Sequence, residues 1–307
     1  MAVDIYAGGT KTRHKVWMNS KTDSLTFKLS ARPDLVNVDA DKILLVKKND
    51  KKTLDEYVFQ YFNAPQYLDR FEAIDAAADK QTEKGAQKVL IAALKDKYYG
   101  LRIKAIKALN MTNDNVRNAA QPILASLVQT DDNTLVRAAA ITTLGKLKAQ
   151  GNMNLFKQAL NSQSYAVQAA ALTAINLLDP AQAVQLGKGL EKDNTGVLTT
   201  ALINVYAGSG TSAQWPFVLQ HFHDASVQSK FNNLQKFAEM TGRVDKPAYT
   251  QQGIAEIKDL AVKYKAYGVD KPAIKFLTDI KAQRLQLKDD ASAKAADEAI
   301  QLITDAK

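Results

Sequence analysis

The sequence contains no cysteine among its 307 residues, so disulfide bonds and thiolate metal sites are excluded. It also lacks an apolar run of about 18 residues and a basic segment followed by an apolar stretch, so neither a membrane span nor a signal peptide is predicted. The HExxH motif of zinc peptidases, the GxSxG motif of hydrolases and a phosphate-binding P-loop are missing as well. No catalytic, cofactor-binding or metal-ligating residue is therefore predicted in this chain.

The charge is basic without being concentrated. The formal net charge is +9, but Lys and Arg exceed Asp and Glu by only a few residues in each part of the chain. The one local basic run, KKNDKK (Lys47 to Lys52), contains its own aspartate and is typical of a solvated surface turn, with a phosphate-binding patch as the less favoured alternative. No nucleic-acid partner is predicted.

The first 50 residues predict a small amount of β-structure. Alternation of apolar and polar residues in KVWM (from Lys15) and SLTFKLS (from Ser24) indicates strands, and Gly8-Gly9 marks a turn. The runs at Leu35 to Val38 and Ile43 to Val46 predict further strands. Three or four strands have exposed edges and too little area for a core of two layers, so we expect them to complete a sheet supplied by something else.

From Thr53 onward the sequence predicts helices. Thr53 is a suitable N-cap and Glu56 follows three residues later, which is the spacing of a capping box, while Asn63-Ala64-Pro65 ends the helix. Beyond this helix an eight-residue pattern recurs every 30 to 35 residues, with alanine three positions after its first residue and an aliphatic residue at the fourth. Its copies begin at Arg70, Arg102, Arg137, Gln168 and Leu198, with a weaker copy at Gln228.

A helical repeat of this length is typical of a solenoid of helix pairs, in which each pair buries its apolar face against its neighbours. The pattern resembles HEAT-like repeats, whose second helix often opens with an aliphatic–Arg pair. Leu101-Arg102 and Val136-Arg137 keep that pair, and Val167-Gln168 changes it. The recurring alanine would let adjacent helices approach closely.

After Pro247 the repeats give way to three longer helices, expected over roughly Gln251 to Tyr267, Lys271 to Leu287 and Asp290 to Ala306, the last as an end cap. The predicted fold is mainly α, a HEAT-like helix-pair solenoid (an α-α superhelix) preceded by a short, partial β-sandwich segment. We assign residues 1–50 to the partial β-sandwich domain and residues 51–307 to the helical repeat domain.

A few side chains invite a functional interpretation. His221 and His223 in QHFHD point about 200° apart on a helix, so we predict an exposed pair at a helix end rather than a zinc site. An arginine recurs with the repeat at Arg70, Arg102 and Arg137. We predict that these arginines form a ladder of structural contacts along the repeats, with an anion site as the alternative. A group of aromatic residues predicts the core between sheet and helices, with a ligand pocket as the alternative. Its members are Tyr57, Phe59, Tyr61, Phe62, Tyr67 and Phe71.

Residues Phe27 to Ile74 carry a second resemblance. They contain Pro-x-Leu-Val-x-Val-Asp from Pro33, an aliphatic run, a turn rich in Lys and Asp, a helix with paired aromatic residues, and Asp69-Arg70-x-Glu72-Ala73. This stretch resembles the junction between the small β domain and the helical C-terminal domain of bacterial zinc aminopeptidases of the aminopeptidase N family. That family's HExxH and GxMEN motifs are absent here, so no catalytic residue carries over.

The resemblance implies a non-catalytic fragment of such an enzyme, cut within or just before the small β domain. Its helical bowl would cover the catalytic domain and restrict peptide access, so the implied partners are the missing zinc-bearing catalytic domain and peptide substrates. Residues 1–14 would then be poorly ordered, and one apolar face near the aromatic residues of the junction would be bare. The first alternative is a standalone HEAT-like scaffold that binds a protein or peptide on its concave face, and the second is a nucleic-acid-binding repeat protein.

Overall fold

The computed structural model describes residues 1–46 and 48–306. The chain forms two compact units, Met1–Leu147 and Lys148–Lys307. The first unit contains a small β-sheet and six helices, and the second is helical throughout its described part. Lys47, at the start of the predicted basic run, lies outside the described residues. The predicted domain boundary between residues 50 and 51 stays a prediction.

The sheet of the first unit is antiparallel and has the strand order β2-β1-β3. Its strands are β1 (Ala2–Ala7), β2 (Thr10–Lys15) and β3 (Leu35–Val38). Ile5 on the central strand lies opposite Thr12 of β2 and Val36 of β3. Gly8 and Gly9 form the two-residue turn between β1 and β2, with φ of +56° and +75°, a conformation that costs glycine little because it has no Cβ. The predicted turn and the predicted strand β3 are confirmed.

Other predictions for this region are wrong. Residues 1–14, expected to be poorly ordered, form most of the β1–β2 hairpin. The segments SLTFKLS and Ile43 to Val46 form no strand. Alternation shows which side chains share a face, but a strand also needs a partner with free backbone groups, and none pairs with these segments in the described part of the chain. Their aliphatic side chains remain exposed, most fully that of Leu45, whereas Phe27 is half-buried against His14.

The helices of the first unit form three consecutive pairs. They are α1 (Leu54–Asn63), α2 (Tyr67–Ala78), α3 (Lys84–Ala93), α4 (Tyr99–Ala108), α5 (Asp114–Thr130) and α6 (Thr134–Lys146). The second helices of successive pairs pack side by side, α2 on α4 and α4 on α6. The capping box at the start of α1 is confirmed, since the Thr53 side chain accepts from the Glu56 amide and the Glu56 carboxylate accepts from the Thr53 amide.

The second unit continues the helical pairs and ends in three longer helices. Its helices are α7 (Met153–Ala159), α8 (Tyr165–Leu178), α9 (Pro180–Gly187), α10 (Val197–Ser209), α11 (Trp215–Asp224), α12 (Val227–Arg243), α13 (Pro247–Lys263), α14 (Asp270–Gln286) and α15 (Asp290–Asp305). The second helices again pack on each other, α8 on α10 and α10 on α12. The indole of Trp215 is fully buried between Phe237 and Tyr249 in the core of this unit.

The repeated sequence pattern marks the second helix of each pair, on α2, α4, α6, α8, α10 and α12. Its alanine is fully buried in the first four copies, at Ala73, Ala105, Ala140 and Ala171, and the following aliphatic residue is buried as well. A methyl group at this position lets neighbouring helices approach closely, because any larger side chain would push their axes apart. The predicted HEAT-like helix-pair solenoid is thereby confirmed.

Candidate functional site

The two histidines of QHFHD lie in the last turn of α11, at a helix end as predicted, but only one of the two is exposed. His221 is half-buried, with Nδ1 2.8 Å from the carbonyl oxygen of Phe217. His223 is exposed, and its Nδ1 lies 2.6 Å from Glu256 Oε1. In the residues that the structure describes, no group of three or more His, Asp or Glu could hold a metal ion. Within the same residues, no helix is both long and apolar enough to cross a membrane.

The recurring arginines make structural contacts. Arg70 Nε donates to Asp96 Oδ2 across 2.7 Å, and Arg102 Nη2 donates to Asp131 Oδ1 across the same distance. Each pair links the start of a second helix to an aspartate at a later turn of the first unit. Arg137 instead donates to the carbonyl oxygen of Val128 at the end of α5. The predicted ladder is confirmed at Arg70 and Arg102, and Arg137 replaces the carboxylate with a backbone acceptor.

The aromatic residues predicted as interface core divide into two groups. Tyr61 is buried, and Phe59 packs edge-on against Tyr6 of β1 with the ring centroids 5.5 Å apart. Phe62 and Tyr67, however, are 45% and 41% exposed. The prediction is therefore wrong for these two residues. Phe62 follows Tyr61 on the same helix and points about 100° away from it, so both rings cannot face the same core.

Four aromatic residues from the starts of α2 and α4 form a connected surface cluster, which we name the aromatic edge: Tyr67, Phe71, Tyr98 and Tyr99. The ring centroids of Tyr67 and Phe71 are 5.8 Å apart, those of Tyr67 and Tyr98 5.1 Å, and those of Tyr98 and Tyr99 5.0 Å. The three tyrosines are each 40% to 42% exposed. Sequence analysis missed Tyr98 and Tyr99, although Tyr67 and Tyr99 occupy the same place, three residues before successive copies of the repeat.

A glycine and a buried carboxylate position the Tyr98 side of the aromatic edge. A Cβ on Gly100 would lie 2.6 Å from Tyr98 Cε1, so the ring occupies space that only glycine leaves free at this position. The backbone amide of Tyr98 donates to Asp96 Oδ1 across 2.9 Å. Asp96 also accepts from Arg70 and from the Tyr61 hydroxyl, the latter across 3.1 Å, and all three side chains are buried. The turn that carries Tyr98 is thus fixed to α1 and α2.

Two phenols of this region, those of Tyr61 and Tyr98, have a pKa above the ordinary value for tyrosine. Burial, reinforced by the Asp96 carboxylate, raises the pKa of Tyr61, which favours its role as a hydrogen-bond donor. The neighbouring Tyr99 raises the pKa of the exposed Tyr98. Beside them, Lys104 Nζ lies 3.6 Å from the ring centroid of Phe71 and pairs with Asp75. The aromatic edge therefore offers apolar ring faces, neutral hydroxyl groups and one flanking cation.

A polar network joins the sheet to the helices beneath it. Lys42 Nζ lies 2.7 Å from Asp69 Oδ1 and donates to Asn37 Oδ1 across 2.7 Å. In the same region, Lys48 and Lys52 both pair with Asp50, and Lys48 also pairs with Glu72. These two lysines of the predicted basic run thus have carboxylate partners within the chain, which disfavours the phosphate-patch alternative.

The family comparison supports the helical-repeat fold. A family model described as HEAT repeats matches residues 56–145 and 122–207. The complex of CpcE and CpcF of phycocyanin lyase from Nostoc sp. is similar at 16% identity, covering 85% of this chain and 98% of that chain, with a TM-score of 0.47. Human deoxyhypusine hydroxylase in complex with glycerol is 15% identical, covering 82% and 96%, with a TM-score of 0.37. A search of curated protein sequences found no match. These likenesses are too distant to indicate an activity.

The aminopeptidase prediction is wrong. The family model that matches the chain describes HEAT repeats and not an aminopeptidase. The expected zinc-bearing catalytic domain has no support apart from that resemblance. The residues that carried the resemblance have a local role instead, because Asn37, Asp69 and Glu72 belong to the network that fixes the sheet to α1 and α2.

Proposed function

We propose that this chain is a HEAT-like scaffold that binds a protein or peptide, and that the aromatic edge is its contact surface. The observation that carries the proposal is the exposure of three tyrosines, of which Tyr98 contacts the other two, on a buried, hydrogen-bonded support. Tyrosine and tryptophan dominate the energetics of many protein interfaces, because their rings bury a large area while their polar groups find partners.

The support beneath the aromatic edge favours binding for a further reason. A partner that binds a mobile surface must offset the entropy lost when the side chains become ordered. Here Asp96 fixes the backbone at Tyr98, and ring contacts link Tyr98 to Tyr67 and Tyr99. Much of that ordering therefore precedes binding.

The test is selection of a random peptide library on the immobilised full chain, followed by affinity measurements on the selected peptides. We expect the double variant Tyr67→Ser/Tyr98→Ser to bind them about tenfold more weakly or worse, as loss of hot-spot residues predicts. The matched control is Tyr267→Ser, which removes a tyrosine that is 78% exposed in the second unit and should leave affinity unchanged. Failure to select any peptide, or equal affinity for the double variant, would overturn the proposal.

A further inference from the structure

A groove lies in the first unit between α6 and α4, the helix that begins at Tyr99. Its volume is about 580 Å³, within the range of roughly 300 to 1,000 Å³ that is typical of ligand pockets. Apolar side chains of Ile106, Leu109 and Met111 line it together with Thr142, Lys107 and Lys146. We name it the α4/α6 groove.

The groove carries positive charge without a compensating carboxylate. Its lining contains two lysines and no acidic residue. Lys107 and Lys146 are both exposed, and neither forms an ion pair with any residue in the described part of the chain. This contrasts with Lys104 on the same helix, which is paired with Asp75. A carboxylate that entered the groove would meet two unpaired ammonium groups beside an apolar surface that excludes water, which strengthens the attraction.

Tyr99 of the aromatic edge and Lys107 of the α4/α6 groove both lie on the exposed face of α4. Tyr99, Ile103 and Lys107 are spaced four residues apart, so their side chains follow one another along a single face of the helix. The helix rises 1.5 Å per residue, so the eight steps from Tyr99 to Lys107 span about 12 Å. An extended peptide rises about 3.3 Å per residue, so about four of its residues cover that distance.

We propose that the partner segment is an extended peptide with two anchors: an aromatic or large aliphatic residue on the aromatic edge, and an acidic residue about four positions away in the α4/α6 groove. Charge complementarity selects the acidic anchor, and the shared face of α4 sets the spacing. This inference rests on the proposed function and specifies the chemistry of the partner.

The experiment uses the peptides selected on the full chain that depend on the aromatic edge. We expect Asp or Glu to be enriched three to five positions from the aromatic or aliphatic anchor. Replacing that acid with its amide should lower affinity about two- to fivefold, the effect expected for a charge pair that stays partly exposed. The variant Lys107→Gln/Lys146→Gln should cause the same loss, and combining both changes should cost little more, because they remove the same interaction.

The matched control is Lys188→Gln/Lys192→Gln, which removes the same charge from two exposed lysines of the second unit and should not alter affinity. The charge-reversed variant Lys107→Glu/Lys146→Glu should restore binding to peptides that carry Lys in place of the acid. Peptides that depend on the aromatic edge but not on Lys107 and Lys146 would overturn this inference while leaving the proposed function intact. If no peptide depends on the aromatic edge, the proposed function itself fails.

Discussion

Arg284 on α14 donates through Nη2 to the carbonyl oxygen of Val244 across 2.5 Å, immediately after the end of α12. The same nitrogen also donates to the carbonyl oxygens of Thr241 and Gly242. The Arg284 side chain is only 2% exposed. The last carbonyl groups of a helix have no intrahelical donor and carry a partial negative charge. A single buried guanidinium thus caps α12 from α14, which packs beside it in the same unit.

Replacing Arg284 with methionine should destabilise the second unit by about 3 kcal/mol, because several buried carbonyl groups lose a charged donor. Urea unfolding measures the loss, and hydrogen exchange should show faster exchange of the α12 amides. The control is Arg243→Met, since Arg243 caps the end of α10 in the same way but is less buried. An Arg284→Met variant no less stable than Arg243→Met would contradict this assignment.

Asp96 should be among the most sensitive positions in the first unit. Asp96→Asn removes the charge that holds the buried Arg70 guanidinium, and it turns amide hydrogens toward existing donors. We expect a loss of about 3 to 5 kcal/mol, the usual cost of breaking a buried pair.

Asp132→Asn is the matched control for this substitution. Asp132 also accepts from an arginine of the ladder, Arg102, across 2.9 Å, but its side chain is 92% exposed. Exposed pairs contribute about 0.2 to 1 kcal/mol. Urea unfolding of both variants compares the two sites, and equal losses would show that the Asp96 network does not stabilise the unit.

The capping box at α1 should make stability depend on pH. The pKa of Glu56 lies below its ordinary value of 4.5, mainly because the carboxylate accepts a hydrogen bond from the backbone amide of Thr53. Because the folded state lowers this pKa, the contribution is complete above pH 4.5 and is lost as pH falls through the lower folded value. Glu56→Gln should therefore cost about 0.5 to 1 kcal/mol at neutral pH and almost nothing in strong acid.

Urea unfolding at several pH values checks the capping-box prediction. The control is Asp55→Asn, which removes a charge from the same first turn without touching the Thr53 amide. A difference between wild type and Glu56→Gln that stays constant from neutral pH into strong acid would rule out a contribution from the ionised carboxylate.

Features encoded by neighbouring residues could be predicted from the sequence. The capping box requires only Thr53 and Glu56, three residues apart, and the buried alanines follow from the repeat. The Gly8-Gly9 turn is equally local. Because these features depend only on nearby residues, the fold class and the bounds of α1, α14 and α15 could be found from the sequence to within about a residue.

Features that depend on residues far apart in the sequence could not be predicted from it. Alternation in SLTFKLS predicted a strand, but no partner strand exists for it in the described part of the chain, and an unpaired strand has no ladder to form. The site has the same difficulty, because Asp96 lies 26 residues after Arg70 and nothing in the sequence shows that they meet. The repeated tyrosine before the motif, at Tyr67 and Tyr99, was the available signal.

Gly100→Ala should separate binding from stability. The new Cβ would lie 2.6 Å from Tyr98 Cε1, so the Tyr98 ring must leave its present position over the start of α4. The backbone at Gly100 is helical, and alanine is the better helix former by up to about 1 kcal/mol. Stability should therefore be unchanged or slightly higher, while affinity for peptides selected on the aromatic edge falls several-fold.

The control for this substitution is Gly151→Ala, because a Cβ at Gly151 meets no atom within 4 Å. It should change neither affinity nor, beyond a small propensity effect, stability. A Gly100→Ala protein that binds the selected peptides as tightly as wild type would show that the placement of the Tyr98 ring does not matter for recognition. A large loss of stability would instead mean that the ring is required for folding. The nearest atoms that the added methyl group meets all belong to the Tyr98 ring.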